Sequence, residues 1–275
     1  MNLILKRSLT SLIAGSLLLG SCGPSNDISE KYPINKKYWD ETDYKNVIFT
    51  IKYQQQTPGA KMPCYSDPVT AVVFNKLVDK NNISVVFEDQ SLGVAHRSEY
   101  GEKMFENFED LEKAYSETDR EDKYVYPKEL IDIATLGLYV QKYYFELGNE
   151  NIKKKSDNPN DQEVVDLINE NMQTLASNYC AYLSFTKNEA GLSDEAMKSY
   201  VAGMREYFPS FIEKYPALDF SDMNTKAEDM IGKAKSPDLK AALQEIVTKI
   251  ADVTAKRTAE KAAADSTAAA VAKGN

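Results

Sequence analysis

The chain has 275 residues, 42 acidic against 33 basic side chains and one histidine, and a formal charge of −9 at neutral pH. So acidic a chain repels nucleic-acid phosphate, and beyond Arg7 it holds only four arginines (Arg97, Arg120, Arg205 and Arg257) with the forked donors that grip phosphate. Composition therefore argues against a nucleic-acid partner, while the length suffices to bury a sizeable core as one or two domains.

At the start, Lys6 and Arg7 precede a mostly apolar run from Ser8 to Leu19. That run is about 12 residues, whereas a helix spanning a bilayer needs about 20. A basic start, a short apolar middle and small residues before a cut are the parts of a secretory signal peptide. Leu19-Gly20-Ser21-Cys22 resembles the lipobox of bacterial lipoproteins, a resemblance confined to the first 22 residues. It implies cleavage before Cys22 and a diacylglyceryl thioether on that thiol, with a palmitate-type acyl anchor holding the chain in a membrane. Several chains on one cysteine anchor firmly, since each buried CH₂ contributes about 0.8 kcal/mol. Plain secretion with a chance cysteine and an uncleaved anchor are the alternatives. Among lipoproteins an aspartate after the cysteine favours the inner membrane. Gly23 stands there instead, so the expected location is the outer membrane, facing the periplasm. Loss of residues 1–21 removes Lys6 and Arg7 and takes the formal charge from −9 to −11.

Residues 22–37 are polar, carry Pro24 and Pro33, and read as a lipidated tether. A mainly α-helical domain is expected over 38–254, organised as a bundle with a small two-stranded β element near its N-terminus. Val47-Ile48-Phe49-Thr50-Ile51-Lys52-Tyr53 is dense in β-branched and aromatic residues and reads as one strand; Ile83-Ser84-Val85-Val86-Phe87 reads as the other. Between them Asp67-Pro68 is an N-cap with proline at the first helical position, predicting a helix from Pro68 to about Lys80. From about Glu99 the chain reads helical. Met104, Phe105, Phe108, Leu111 and Tyr115 mark one face. Pro127 opens a stretch that is apolar nearly all round (Leu130, Ile131, Ala134, Leu138, Tyr143, Leu147), as a central helix of a bundle is, and Gly148-Asn149 is expected to end it. Asn158-Pro159, Ser193 and Ser236-Pro237 are further helix starts, and Pro209 is expected to kink or break the helix that Ser193 opens. The tetratricopeptide pattern is absent. Residues 255–275 hold nine alanines and little apolar bulk, so a frayed tail is expected.

The chemistry is less legible. Cys64 and Cys180 are the cysteines left once Cys22 is acylated; an exported compartment permits a disulfide between them, and two separate buried thiols are the alternative. His96, the lone histidine, is a candidate base oriented by Glu99 or Glu102, or simply a loop residue beside a helix start. One histidine and two distant cysteines do not make a zinc site, and no Gly-rich phosphate loop or nucleophile elbow is present, so no metal or cofactor is expected. The charge run Asp119-Arg120-Glu121-Asp122-Lys123 is a solvated connection or a binding patch. With 17 tyrosines in the chain, Tyr124 and Tyr126 combine with Arg120 and His96 as candidate partner-binding residues, since tyrosine gives rigid amphipathic contact area. The expectation is a binding or adaptor module for an envelope protein or cell-wall component. The rival is a glycan-active hydrolase using Glu99, Asp119 or Glu121.

Overall fold

Asp40 and Asp43 start the first long helix by capping each other. The Asp40 carboxylate accepts from the Asp43 backbone N–H at 3.0 Å, and the Asp43 carboxylate accepts from the Asp40 N–H at 3.0 Å. This reciprocal box satisfies two otherwise orphaned donors. The computed structural model describes residues 28–117 and 124–274, with side chains left undescribed at 188 and from 265 onward. In chain order the helices are α1 (Ile28–Lys31), α2 (Glu41–Gln56), α3 (Pro68–Leu77), α4 (Asn81–Phe87), α5 (Val94–Ser116), α6 (Pro127–Lys155), α7 (Gln162–Tyr182), a 3-10 segment (Leu183–Gly191), α8 (Asp194–Lys214), α9 (Ser221–Lys233) and α10 (Pro237–Gly274). Among the described residues the protein is all-α.

The expected two-stranded element is therefore corrected. Val47–Tyr53 lies inside α2, and Ile83–Phe87 forms most of α4. The reason is the period at which the segment is buried. Tyr44, Val47, Ile48 and Ile51 are all buried, at i, i+3, i+4 and i+7, a helical stripe that a strand would split between two faces. In α4, Ile83 and Phe87 are buried four residues apart while Val85 is exposed. Tertiary burial overrides the β-propensity of short branched runs.

The sequence-derived starts at Pro68, Pro127 and Ser193 hold: Asp67 accepts from the Val69 N–H, and Ser193 from the Ala196 N–H. Other boundaries shift. α6 continues past Gly148-Asn149 to Lys155, because Leu147 and Asn149 are themselves buried. α7 begins at Gln162, capped by Asp161, rather than at Pro159. α8 runs through Pro209, held by buried Tyr207, Phe208, Phe211 and Ile212 on either side of it. Within the segment read as tether, Tyr32 is buried and its hydroxyl donates to Gln54 Oε1 at 2.8 Å. Pro33 O accepts from the Trp39 indole N–H at 2.9 Å, so buried Trp39 anchors the segment ahead of α2.

α6 is the axis of the bundle: α5, α7 and α8 pack on it, α2 and α4 pack on α5, and α10 packs on α8 and α9. Two glycines set the closest approaches. A Cβ on Gly101 would lie 3.3 Å from the Tyr144 Cα, which lets α5 and α6 touch backbone to backbone. A Cβ on Gly203 would lie 2.5 Å from the Tyr182 hydroxyl and 3.0 Å from the Thr135 side chain. Those two side chains hydrogen-bond at 2.7 Å and knit α6, α7 and α8 together.

Candidate functional site

α5 and α7 both pack on α6, so between them α6 becomes the floor of a cleft of about 470 Å³. The floor is a stripe, Ala134, Leu138 and Gln141, and the α5 wall is a matching stripe, Phe105, Glu109 and Glu112. Both follow i, i+4, i+7, the spacing that lines up side chains along one helix face. The facing wall comes from Asn178 on α7 and Ser184, Phe185 and Lys187 of the 3-10 segment, and Tyr124 closes one end. Tyr124 and Phe185 face each other with ring centroids 6.3 Å apart.

Three electrostatic features distinguish this cleft. Gln141 Oε1 is buried and accepts no hydrogen bond; an unmet buried acceptor costs about 1–3 kcal/mol. Burial, reinforced by the neighbouring Glu109 carboxylate, holds the Glu112 carboxyl above the ordinary carboxylate range. On the other side Ser184 accepts from Lys226 Nζ of α9 at 2.6 Å, and Lys187 is exposed at the rim. The α5 wall is thus acidic and the 3-10 wall basic.

A larger groove of about 730 Å³ lies between α2 and α5, beneath Phe49 and Tyr53, which are 73% and 65% exposed. Much of its polar rim is already internally paired: Lys52 with Asp110 at 2.9 Å, and Lys103 with Glu41 at 3.2 Å. The smaller cleft is the better candidate because it holds a polar atom whose hydrogen bond is unmet.

Of the residues singled out from sequence, Tyr124 lies in this cleft. Tyr126 does not: its ring packs edge-on against Tyr115 at 5.4 Å, with its hydroxyl facing the Met62 backbone, and burial raises its pKa. His96 is exposed in the first turn of α5, about 24 Å along the helix axis from Glu112 at 1.5 Å per residue. Glu99, proposed to orient it, pairs instead with Lys103 at 3.1 Å. The buried member of that stretch is Arg97, whose guanidinium donates to Phe87 O at 3.1 Å. Cys22, Asp119, Arg120 and Glu121 lie outside the described residues. Cys64 and Cys180 are free thiols: Cys64 is buried beside Ser66, and Cys180 is half-buried on α7, its pKa raised by burial. Of the two readings left open by the sequence, a disulfide or two separate thiols, the structure has the separate thiols.

Glu109, Glu112, Gln141, Asn178 and Phe185 were not singled out from sequence. The available signal was Gln141, a polar interruption in the otherwise apolar stretch that Pro127 opens. Among the described residues no three His, Cys, Asp or Glu side chains gather to hold a metal ion, and no helix is long and apolar enough to cross a membrane. Comparison with protein-family models, curated proteins and solved structures finds no match for this chain.

Proposed function

We propose that this chain is a lipid-anchored bacterial envelope protein, attached through Cys22, whose helical domain binds an envelope protein or cell-wall component in the cleft between α5, α6 and α7. The single observation carrying the binding reading is the buried, unpartnered Gln141 Oε1 on the cleft floor. A folded core seldom leaves such an atom unsatisfied, and a bound ligand supplies the missing donor. The anchor rests on the Leu19–Cys22 motif.

The glycan-hydrolase reading has less support. Glycosidase carboxylates flank the scissile bond from opposite sides, about 5–9 Å apart. Glu109 and Glu112 share one wall of the cleft, three residues apart on one helix. Glu99 is committed to Lys103.

Both halves of the proposal are testable. Full-length protein expressed with a clickable palmitate should take up label and sediment with membranes, and Cys22→Ala should abolish both; equal labelling of the variant rejects the anchor. Envelope material captured by the wild-type chain should be lost on Gln141→Leu, which removes the buried acceptor at similar volume. Unchanged capture rejects the cleft as the binding site.

A further inference from the structure

We propose that the α5–α6–α7 cleft takes a dipolar ligand, a free amino acid or short peptide whose amino group faces the α5 wall and whose carboxylate faces the 3-10 wall. This rests on the reading of the cleft as the binding site and names the chemistry of its ligand. The charges are separated across the gap: Glu109 and Glu112 on α5, against Lys187 and the Ser184 hydroxyl polarised by Lys226 at 2.6 Å. Gln141 Oε1 on the floor wants a donor, which an ammonium or a peptide N–H supplies. The Tyr124 and Phe185 rings offer apolar area to small side chains. A uniformly charged or purely hydroxylated ligand would leave one of these walls unanswered. The volume of about 470 Å³ lies at the lower end of the roughly 300–1,000 Å³ typical of small-molecule sites, which suits a few residues rather than an enclosed polymer strand.

Glu112 gives the amino end a further property. Its carboxyl is held above the usual range by burial and by Glu109, so an arriving ammonium favours its ionised form and releases a proton. The other titratable groups lining the cleft are Glu109 on its own helix, and Tyr124, Tyr182 and Lys187 on the other elements. Affinity for the free amine therefore rises with pH through the titration of Glu112.

The test is calorimetric titration of the full-length protein in detergent micelles with four probes: trialanine, N-acetyl-trialanine, trialanine amide and an N-acetylglucosamine trisaccharide. Trialanine should bind at one saturable site, and blocking either end should weaken it about tenfold or more, the usual cost of losing a charged hydrogen-bond partner. Glu112→Gln should remove the penalty for acetylation, and Lys187→Gln the penalty for amidation. Glu109→Gln, at the exposed rim, serves as the second variant if Glu112→Gln does not fold. Equal binding of blocked and free peptides, or no saturable trialanine binding up to about 10 mM, well below the affinity of small-ligand sites, overturns the proposal. Binding of the trisaccharide that is lost on Phe185→Ala also overturns it but leaves the binding-module reading standing. Capture of envelope material that survives Gln141→Leu instead rejects the cleft as the binding site, the reading on which this proposal rests.

Discussion

The two longest described helices, α6 and α10, bury themselves in opposite ways. α6 is covered from Leu130 to Val140 on nearly every face by α5, α7 and α8. α10 buries Leu239, Ala242, Leu243, Ile246 and Ile250 against α8 and α9, then continues with residues 254–264 exposed. The difference lies in side-chain volume. α6 carries leucine, isoleucine and tyrosine all round, whereas beyond Val253 α10 carries alanine, lysine and threonine, which bury little apolar area per residue. One helix is therefore sustained by tertiary contacts, and the outer part of the other by local propensity.

Five substitutions, one titration and one deletion sharpen that contrast, taken from the largest expected effect downward. Ile131→Ala, at a fully buried position of α6, should cost about 2–5 kcal/mol in chemical denaturation. A cost below that of the half-buried Val253→Ala on α10 would break the comparison. Gly203→Ala forces a methyl group onto the Tyr182 hydroxyl and Thr135. It should cost about 1–3 kcal/mol, read as a lowered Tm, while Gly232→Ala, with open space around it, should be neutral or stabilising.

Alkaline titration probes the same core. Burial pushes the Tyr32 hydroxyl up to about 12, and holds those of Tyr44, Tyr115, Tyr179 and Tyr182 well above their ordinary value. A pKa raised in the folded state means that its stability contribution is complete below the unfolded value near 10 and is lost as pH climbs through the folded value. Absorbance at 295 nm should show the buried tyrosines ionising together with the loss of helical circular dichroism. Smooth ionisation at ordinary pKa values with the fold intact would contradict the burial. The same sign governs Glu112. Its raised carboxyl contributes stability at low pH that is lost as pH rises through its folded pKa, so Glu112→Gln should gain in Tm relative to wild type at pH 7 and not at pH 4. The smallest effect is expected from deleting residues 255–275, which should change stability by less than about 0.5 kcal/mol, as surface changes do.

How far the fold could be read in advance varied with the range of the signal. Helix starts announced by a cap or a first-turn proline, as at Asp67-Pro68 and Pro127, were legible because both signals are complete within four residues. The segment Val47–Tyr53 misled because six β-branched or aromatic residues out of seven favour a strand locally. Only the wider window from Asp40 to Ile51, with its capping box and its i, i+3, i+4, i+7 burial, reveals the helix. The candidate site was less legible. Tyr124 was picked for its loop position and does line the cleft. Tyr126 is near it in sequence but faces other surroundings, and His96 lies exposed at the far end of α5. Glu112 and Gln141 look ordinary in a linear reading, since one is a charge among many on α5 and the other a single polar residue on α6.

By itself, then, the amino-acid sequence determined the mainly helical class, the helix starts at Pro68, Pro127, Ser193 and Pro237, the acidic net charge and the Leu19–Cys22 motif. These depend on caps, periodicity and composition, whose physics acts between neighbours in the chain. The tertiary structure decided the fate of the two branched runs, the separation of Cys64 from Cys180, and the meeting of Glu112, Gln141, Ser184 and Phe185 in one cleft. Those outcomes depend on which helix faces bury each other. Burial free energy is gained between residues tens of positions apart, and no local pattern encodes that pairing.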